Sequence, residues 1–187
     1  MDILLMGPPG AGKGTQGALL AEARGVPKFA TGDLLRDAVK RGTKLGLQAK
    51  ALMEAGHLVS DDVILGIVRD ELGKPTARNG VIFDGVVRTI PQAEGVERLL
   101  AERGRRMDAV LFFDVSDAEI LSRLAKRREI EQRADDDPEA VATRLQAYRR
   151  QTAPVLDWYE ARNLVRRIPA AGSIEEIASR VRKALGD

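Results

Sequence analysis

Short apolar runs alternate with longer segments of helical periodicity along this chain. Five of the runs have the composition of buried strands, and they occupy residues 3–6, 27–30, 81–84, 108–115 and 164–169. The spacing of apolar side chains predicts helices over residues 15–23, 34–39, 44–55, 61–72, 89–103, 116–128 and 138–158, with a last helix that begins after Ser173. Strands that alternate with helices pair in parallel through helical crossovers, so the pattern predicts an α/β fold with a doubly wound parallel sheet.

Capping residues support several of these helix boundaries. Ser116 and Ser173 are each followed three residues later by a glutamate, which is the sequence of a capping box, and Thr31 is placed to cap the helix after it. Two segments depart from the regular alternation. Residues 31–60 contain helices with few large apolar side chains, which predicts an excursion away from the sheet, and residues 129–137 are expected to form a polar, charged loop.

The composition limits the class of protein without identifying it. The 187 residues suffice for one α/β domain with a proper core, and 44% hydrophobic with 31% charged residues is typical of a globular protein. A net charge of +2 gives no reason to expect a nucleic-acid or membrane partner. The chain has no cysteine, which excludes disulfides and cysteine zinc sites. The first strand begins almost at Met1 and leaves no room for a signal peptide, so we expect a cytoplasmic protein.

The chemistry of the chain is most visible in segment 7–16, which reads GPPGAGKGTQ and joins the first strand to the first helix. A polyphosphate is held best by backbone N–H groups that turn inward, and Gly7, Gly10, Gly12 and Gly14 are expected to let the chain curl that tightly. The positive end of the following helix faces the anion, and the Lys13 ammonium can reach the outer phosphates. This spacing is that of a P-loop, so it predicts nucleotide binding.

Phosphoryl transfer depends on positioning and on charge neutralisation, so it needs cations and an anchor for Mg²⁺ rather than a nucleophile. Asp84 ends the third predicted strand, where ligands collect in a parallel sheet, and is expected to lie beside the P-loop. Arginine suits phosphate because its planar fork donates two parallel hydrogen bonds. The arginines at predicted loops or helix ends are Arg36, Arg88, Arg123, Arg127, Arg133 and Arg144.

Four separated motifs resemble the adenylate kinase family, in the order expected along the chain. They are GPPGAGKGTQ at 7–16, TGDLLR at 31–36, DG at 84–85 with RT at 88–89, and RADD at 133–136 with an arginine at 144. The charged loop at 129–137 is short, which is similar to family members that lack the longer, occasionally zinc-binding lid. The chain is therefore identified as a member of the adenylate kinase family in its short-lid form.

The resemblance implies a P-loop NTPase-type fold, in which a five-stranded parallel sheet carries helices on both faces within a single kinase domain over residues 1–187. Its core would comprise residues 1–30, 61–128 and 138–187, with an AMP-binding helical subdomain at 31–60 and a short lid at 129–137. The implied reaction is the reversible transfer of the terminal phosphoryl group of ATP to AMP, which gives two ADP. ATP, AMP and ADP are thus the expected partners, Mg²⁺ without zinc is the expected cofactor, and a monomer is expected.

The resemblance also implies roles for individual residues. The catalytic set would be Lys13, Asp84, Arg88, Arg123, Arg127, Arg133 and Arg144. ATP would contact Gly10, Ala11, Gly12, Lys13, Gly14, Thr15, Arg123, Arg127 and Gly172. AMP would contact Thr31, Gly32, Leu35, Arg36, His57, Val59, Gly85, Arg88, Gln92, Arg133 and Arg144. Asp84 would hold Mg²⁺ through water, and Asp33 is a candidate for a second carboxylate there.

One departure from the family pattern affects the acceptor site. Where the family reads Gly-Phe-Pro-Arg, this chain has Gly85-Val86-Val87-Arg88, and the family's proline usually follows a cis peptide bond. A cis bond before another residue costs about 3 kcal/mol, so the Val86–Val87 bond is expected to be trans. We therefore predict weakened AMP binding or turnover.

Two alternatives to the adenylate kinase interpretation follow from these residues. A P-loop protein that binds nucleotide without turning it over is conceivable because of Val86 and Val87. A UMP/CMP kinase is the other, although the resemblance associates Thr31 and Thr89 with AMP as the acceptor. A GTPase is disfavoured, because no N-K-x-D base-recognition sequence follows the later strands.

Overall fold

A five-stranded parallel sheet is the centre of the computed structural model, which describes residues 1–55 and 57–186. Gly56 and Asp187, which fall in the predicted AMP-binding segment and core, lie outside the described residues. The strand order is β2-β3-β1-β4-β5, and every neighbouring pair is parallel. The strands are β1 Asp2–Met6, β2 Lys28–Ala30, β3 Val81–Asp84, β4 Ala109–Asp114 and β5 Val165–Pro169. The five predicted strands are therefore confirmed.

Helices connect the strands and cover both faces of the sheet. They are α1 Lys13–Arg24, α2 Thr31–Lys40, α3 Lys44–Glu54, α4 Asp61–Leu72, α5 Ile90–Ala101, α6 Asp117–Glu131, α7 Pro138–Ala147, α8 Ala153–Glu160 and α9 Ile174–Leu185. Helices α1 and α9 pack together on one face, whereas α5 contacts both α4 and α8 on the other. The doubly wound arrangement is thus confirmed. In the part of the chain that the structure describes, no helix has both the length and the apolar character needed to cross a membrane.

The central strands place apolar side chains on both of their faces, which explains their near-continuous hydrophobic sequences. In β1, Leu4 and Met6 pack into the core beneath α5 and α8, while Ile3 and Leu5 pack into the core beneath α1 and α9. All four side chains are buried. Burying such a side chain stabilises the fold by about 1.5–3 kcal/mol, so β1 is fixed from both faces and the loop after it is anchored at its start.

Two of the predicted helix caps differ from the observed ones. Ala30, in an extended conformation with φ −110°, caps α2, and Thr31 is the first helical residue. The prediction that Thr31 is the N-cap is therefore wrong; its hydroxyl instead donates to the carbonyl oxygen of Gly85 at 3.0 Å. The capping box at Ser173 is complete. At Ser116 only the hydroxyl half is present, because the Glu119 carboxylate accepts from an arginine.

The connection between α6 and α7 is shorter than predicted. Helix α6 continues to Glu131 and ends at Gln132, whose φ of 49° is left-handed. Residues 129–131 are therefore helical, and the charges of Glu129 and Glu131 reflect an exposed helix rather than a loop. The rest of the connection is a 3₁₀ turn, Ala134–Asp136, after which the Asp137 side chain caps α7.

The long helix predicted over residues 138–158 is present, with a change of pitch inside it. A π-helical segment, Tyr148–Thr152, separates α7 from α8. Pro154 explains the wider turn, because proline lacks the N–H of the helical ladder and its ring needs room in the preceding turn. The segment ends with the hydroxyl of Thr152 donating to the carbonyl oxygen of Arg88 at 3.0 Å, so this irregularity anchors a predicted site residue.

Candidate active site

The carboxyl ends of β1, β2 and β3 open into a cleft of about 540 Å³. Its walls come from the loop after β1, the start of α2, the segment after β3 and the two sides of the α6–α7 connection. Every residue that the sequence assigned to the site lines this cleft, with the exception of Gly172. Gly172 lies in the loop between β5 and α9 with a left-handed φ of 112°, and its role in ATP binding stays a prediction.

The glycine loop after β1 is curled as predicted, but by three glycines rather than four. Gly7, Gly10 and Gly12 have φ values of 141°, 80° and 89°, which side chains disfavour. A Cβ at Gly7 would also lie 2.8 Å from the carbonyl oxygen of Phe113. Gly14 lies in the first turn of α1 without a positive φ, so its predicted part in the curl is wrong. The helix begins two residues earlier than expected, which brings its positive end directly onto the loop.

Lys13 is folded back onto the loop that precedes it. Its ammonium donates to the carbonyl oxygens of Gly7 at 2.7 Å and Pro8 at 2.8 Å. Burial lowers the pKa of Lys13 to about 8; the nearby Asp84 carboxylate opposes this shift and Arg88 adds to it. A bound polyphosphate would favour the charged form of this side chain, so the ammonium is arranged for an anion.

Arg88 is held in the cleft through its backbone as well as its side chain. Its Nε donates to the carbonyl oxygen of Gly85 at 3.0 Å, and its backbone N–H donates to Oε1 of Gln92 at 2.7 Å. Gln92 is oriented by Asp61, whose Oδ1 accepts from Nε2 of Gln92 at 2.8 Å and from the hydroxyl of Thr89 at 3.0 Å. Burial lowers the pKa of Arg88 to about 10, so the guanidinium stays charged at neutral pH.

The Val86–Val87 peptide bond is trans, as the sequence predicted. Both side chains are buried in the core beneath α5 and α8. Gly85 and Arg88, which flank them, still line the cleft. The valine pair is therefore accommodated without removing its neighbours from the site.

Arg127 and Arg144 converge on one buried carboxylate in the α6–α7 connection. Asp136, whose side chain is 0% exposed, accepts from Nε and Nη2 of Arg127 at 2.6 and 2.5 Å and from Nη1 of Arg144 at 3.2 Å. Burial would raise the pKa of Asp136, but the hydrogen bond and charge of Arg127 and the charge of Arg144 lower it overall. Nη1 of Arg144 also donates to the carbonyl oxygen of Asp135 at 2.9 Å and lies 3.0 Å from its Oδ2. Asp136 thereby fixes Arg127 and helps to fix Arg144, although it does not itself line the cleft.

The other arginines are anchored to different degrees. Arg123 donates to Glu119 and to the carbonyl oxygen of Ala170, both at 2.8 Å. Arg36 pairs with Asp33 at 2.5 Å and lies 3.9 Å from Asp135 of the α6–α7 connection, so it spans the two sides of the cleft. Arg133 pairs with Glu131 alone among the described contacts.

Two carboxylates and a lysine stand together at the floor of the cleft. Nζ of Lys28 lies 3.9 Å from an oxygen of Asp33 and 3.9 Å from an oxygen of Asp84. Burial opposes the shift, but the Arg36 hydrogen bond and the charges of Arg36 and Lys28 hold the pKa of Asp33 below its usual value. Sequence reasoning missed Lys28, because strand periodicity gives the face on which a lysine lies but not how far its flexible stem reaches.

The lining of the cleft is strongly cationic, with eight basic side chains against four acidic ones. Within residues 1–55 and 57–186 no group of three or more histidine, cysteine or acidic side chains could hold a metal ion alone. Two carboxylates do suit Mg²⁺ that keeps most of its water and binds mainly to phosphate. The arrangement can therefore hold two phosphate chains, neutralise charge that develops between them, and accept Mg²⁺ with one of them.

The comparisons with known proteins agree with this chemistry. A family model described as adenylate kinase matches residues 5–164. A protein of Gemmatimonas aurantiaca named adenylate kinase is 48% identical over 212 aligned residues, which cover 99% of both chains. An adenylate kinase of Thermus thermophilus is 46% identical, with 98% of this chain and 96% of the relative covered. One of Stenotrophomonas maltophilia is 45% identical, with 99% of both covered.

Proposed function

Because this chain belongs to the adenylate kinase family and is an ATP:AMP phosphotransferase, we propose that its cleft holds ATP at the P-loop and AMP against α2 and the segment after β3. The observation behind this division is that Lys13 at the start of α1 and Arg88 in the segment after β3 line the same cleft from two different parts of the fold. The transferred phosphoryl group passes between them.

The ATP side is built on the P-loop and the start of α1. Backbone N–H groups of residues 10–15 surround the phosphate chain, and Lys13 exchanges the carbonyl oxygens of Gly7 and Pro8 for phosphate oxygens. Arg123 borders the adenosine end, where its guanidinium is fixed by Glu119 and Ala170. The left-handed Gly172, two residues after Ala170, completes this end.

The AMP side is built on α2, the α3–α4 connection and the segment after β3. Arg36 and Arg88 bind the acceptor phosphate, and Thr31 and Gly85 are joined by a hydrogen bond at 3.0 Å beside the base. Gln92 faces the same site with its amide orientation set by Asp61. The remaining contacts come from Gly32, Leu35, His57 and Val59, which line the same wall.

Arg127, Arg133 and Arg144 neutralise the phosphoryl group as it moves. A largely dissociative transfer spreads charge over the equatorial oxygens, and fixed cations stabilise that charge without reorganising. Arg127 and Arg144 are fixed by Asp136, whereas Arg133, held by the exposed Glu131, can turn inward at little cost. Residues 129–137 act as the short lid and 31–60 as the AMP-binding subdomain, and closure of both excludes water.

Mg²⁺ bound with ATP would interact through its water ligands with Asp84 and Asp33, which Lys28 contacts at 3.9 Å each. The metal would supply charge neutralisation on the terminal phosphates. Asp84 ends β3, and its strand register beside Ala30 holds its backbone at this edge of the sheet. We further propose that the enzyme acts as a monomer in the cytoplasm, with ATP, AMP and ADP as its substrates and products.

A coupled assay tests this assignment. Phosphoryl transfer from Mg²⁺-bound ATP should be fast with AMP, slow with UMP and CMP, and lost in Lys13→Ala. Turnover with UMP or CMP alone would move the acceptor specificity to pyrimidine nucleotides. Nucleotide binding without any turnover would mean that the segment of Val86 and Val87 has disabled the acceptor site.

A further inference from the structure

Lys28 is a charged residue in the cleft to which the proposed mechanism gives no role. Its ammonium donates to the carbonyl oxygen of Gly14 at 3.3 Å and stands 3.9 Å from the nearest oxygens of both Asp33 and Asp84. The side chain is only 22% exposed. The Lys28 ammonium thus lies near three oxygen atoms, and two of these belong to the carboxylates proposed to interact with Mg²⁺.

The position of this ammonium is built into the fold. Lys28 begins β2, and its stem passes close to α1, where a Cβ at Gly17 would come within 3.1 Å of Cδ of Lys28. Ala30, two residues later, pairs with Asp84 in the sheet. The strand register and the missing side chain at Gly17 therefore direct the lysine toward the floor of the cleft.

The distances indicate an ammonium that is attracted but not locked in place. A direct charged hydrogen bond is about 2.7–2.9 Å long, whereas both carboxylate contacts are 3.9 Å. A flexible lysine stem lets the head group withdraw when another cation arrives. The geometry is that of a displaceable counter-ion.

We propose that Lys28 is the resident counter-ion of the Mg²⁺ site. In the nucleotide-free protein its ammonium neutralises Asp84 and, together with Arg36, Asp33, and it withdraws when Mg²⁺ enters with ATP. The inference rests on the proposed role of the two carboxylates. Its consequence is that the metal binds poorly by itself, because it must compete with a tethered cation, and binds well only when phosphate oxygens contribute.

Mn²⁺ binding to the nucleotide-free protein, followed by electron paramagnetic resonance, tests the competition directly. Lys28→Gln should bind Mn²⁺ about tenfold more tightly than the wild type, since the competing ammonium, 3.9 Å from an oxygen of each carboxylate, is removed. Lys74→Gln is the matched control: it removes the same charge from an exposed pair with Glu71, outside the cleft, and should leave Mn²⁺ binding unchanged. Asp84→Asn in the Lys28→Gln background should cancel the gain.

Equal Mn²⁺ affinity in the wild type, Lys28→Gln and Lys74→Gln, to within a factor of two, overturns the proposal. Thermal unfolding of each variant establishes that it is folded, so an unchanged affinity cannot come from a damaged site. The metal assignment is measured separately, by the Mn²⁺ dependence of binding of a non-hydrolysable ATP analogue to Asp84→Asn. If that dependence is unaltered, the role of Asp84 fails and the counter-ion with it; if it is weakened while Lys28→Gln has no effect, only the counter-ion fails.

Discussion

Replacing Asp136 by asparagine should weaken the proposed lid by releasing Arg127 and loosening Arg144, which also pairs with Asp135 at 3.0 Å. The side chain is fully buried and accepts three hydrogen bonds from Arg127 and Arg144. An asparagine at this position would fill the same volume, but its NH₂ group would face guanidinium donors and the negative charge would be lost. The substitution therefore removes one acceptor oxygen and the negative charge, so Arg127 loses its carboxylate partner, whereas Arg144 keeps its contacts with Asp135.

The magnitude follows from burial. Breaking a buried ion pair by removing one partner costs about 3–5 kcal/mol, because the remaining charge stays uncompensated. Arg127 and Arg144 are 25% and 17% exposed, so water compensates part of the loss. We expect the α6–α7 connection to lose about 3 kcal/mol of local stability, which is roughly a 100-fold rise in its open population.

Hydrogen exchange of the amides over residues 132–137 measures this local stability, and the coupled assay measures turnover. Asp117→Asn is the matched control, because Asp117 makes a single ion pair with Arg149 in which both side chains are about two-thirds exposed. Such a surface pair contributes less than about 1 kcal/mol, so the control should retain both protection and turnover.

The pH dependence of the difference in local stability between the wild type and Asp136→Asn gives a second check. The arginines lower the pKa of Asp136, so the stability that its charge contributes is present at neutral pH and is lost as the pH falls through the lowered pKa. The gap between the wild type and Asp136→Asn should therefore close in acid. Unchanged lid protection in Asp136→Asn at neutral pH, with turnover within a factor of two of the wild type, would refute the reasoning.

Three further predictions concern the substrate sites. Asp61→Ala should raise the KM for AMP about tenfold without affecting the KM for ATP, since Gln92 loses a charged hydrogen bond. Asp62→Ala, at the exposed neighbouring residue, should change neither KM. A shift in both constants in Asp61→Ala would contradict a positioning role. At about pH 8.5 Lys13, with a pKa of about 8, is roughly three-quarters neutral, so ATP binding should take up protons there and not at pH 6.5, as calorimetry in buffers of different ionisation enthalpy would detect. Val86→Phe combined with Val87→Pro should lower the KM for AMP; an unchanged constant would show that the valine pair does not weaken the acceptor site.

The sequence was sufficient to predict the sheet because its signals were local and redundant. β1 and β3 are continuous apolar runs, as expected of strands buried on both faces. The P-loop glycines follow β1, and β3 ends at Asp84. Predictions were wrong where one local sequence feature is compatible with two kinds of structure. Residues 129–131 were expected in a polar, charged loop but continue α6, since charged residues such as Glu129 and Glu131 are equally common on an exposed helix.

The sequence predicted many of the residues that line the cleft but not which contacts hold their side chains in place. Motif spacing identified Lys13 and Arg88 but could not indicate that Asp136 fixes two arginines or that Lys28 reaches two carboxylates. Those contacts join residues on different elements, and a long side chain can adopt several rotamers until its neighbours are placed. Thr31 illustrates the same limit: its type suggested a cap, whereas the register of β2 beside β3 gave its hydroxyl the Gly85 carbonyl instead.

The charge balance of the cleft explains why its cations are held by the protein before substrate arrives. Burial lowers the pKa of Lys13 and of Arg88, and repulsion among the eight basic side chains of the cleft, which outnumber four acidic ones, adds to this shift. Carbonyl oxygens at Gly7, Pro8 and Gly85 offset part of that cost without adding negative charge that would repel phosphate. In the proposed mechanism two phosphate chains would relieve the repulsion together, and most of all where their charges meet at the transferred group. Binding energy would thereby be concentrated on the transition state, provided that the cations cannot spread apart. Asp136 holds Arg127 against that movement and, with Asp135, also holds Arg144.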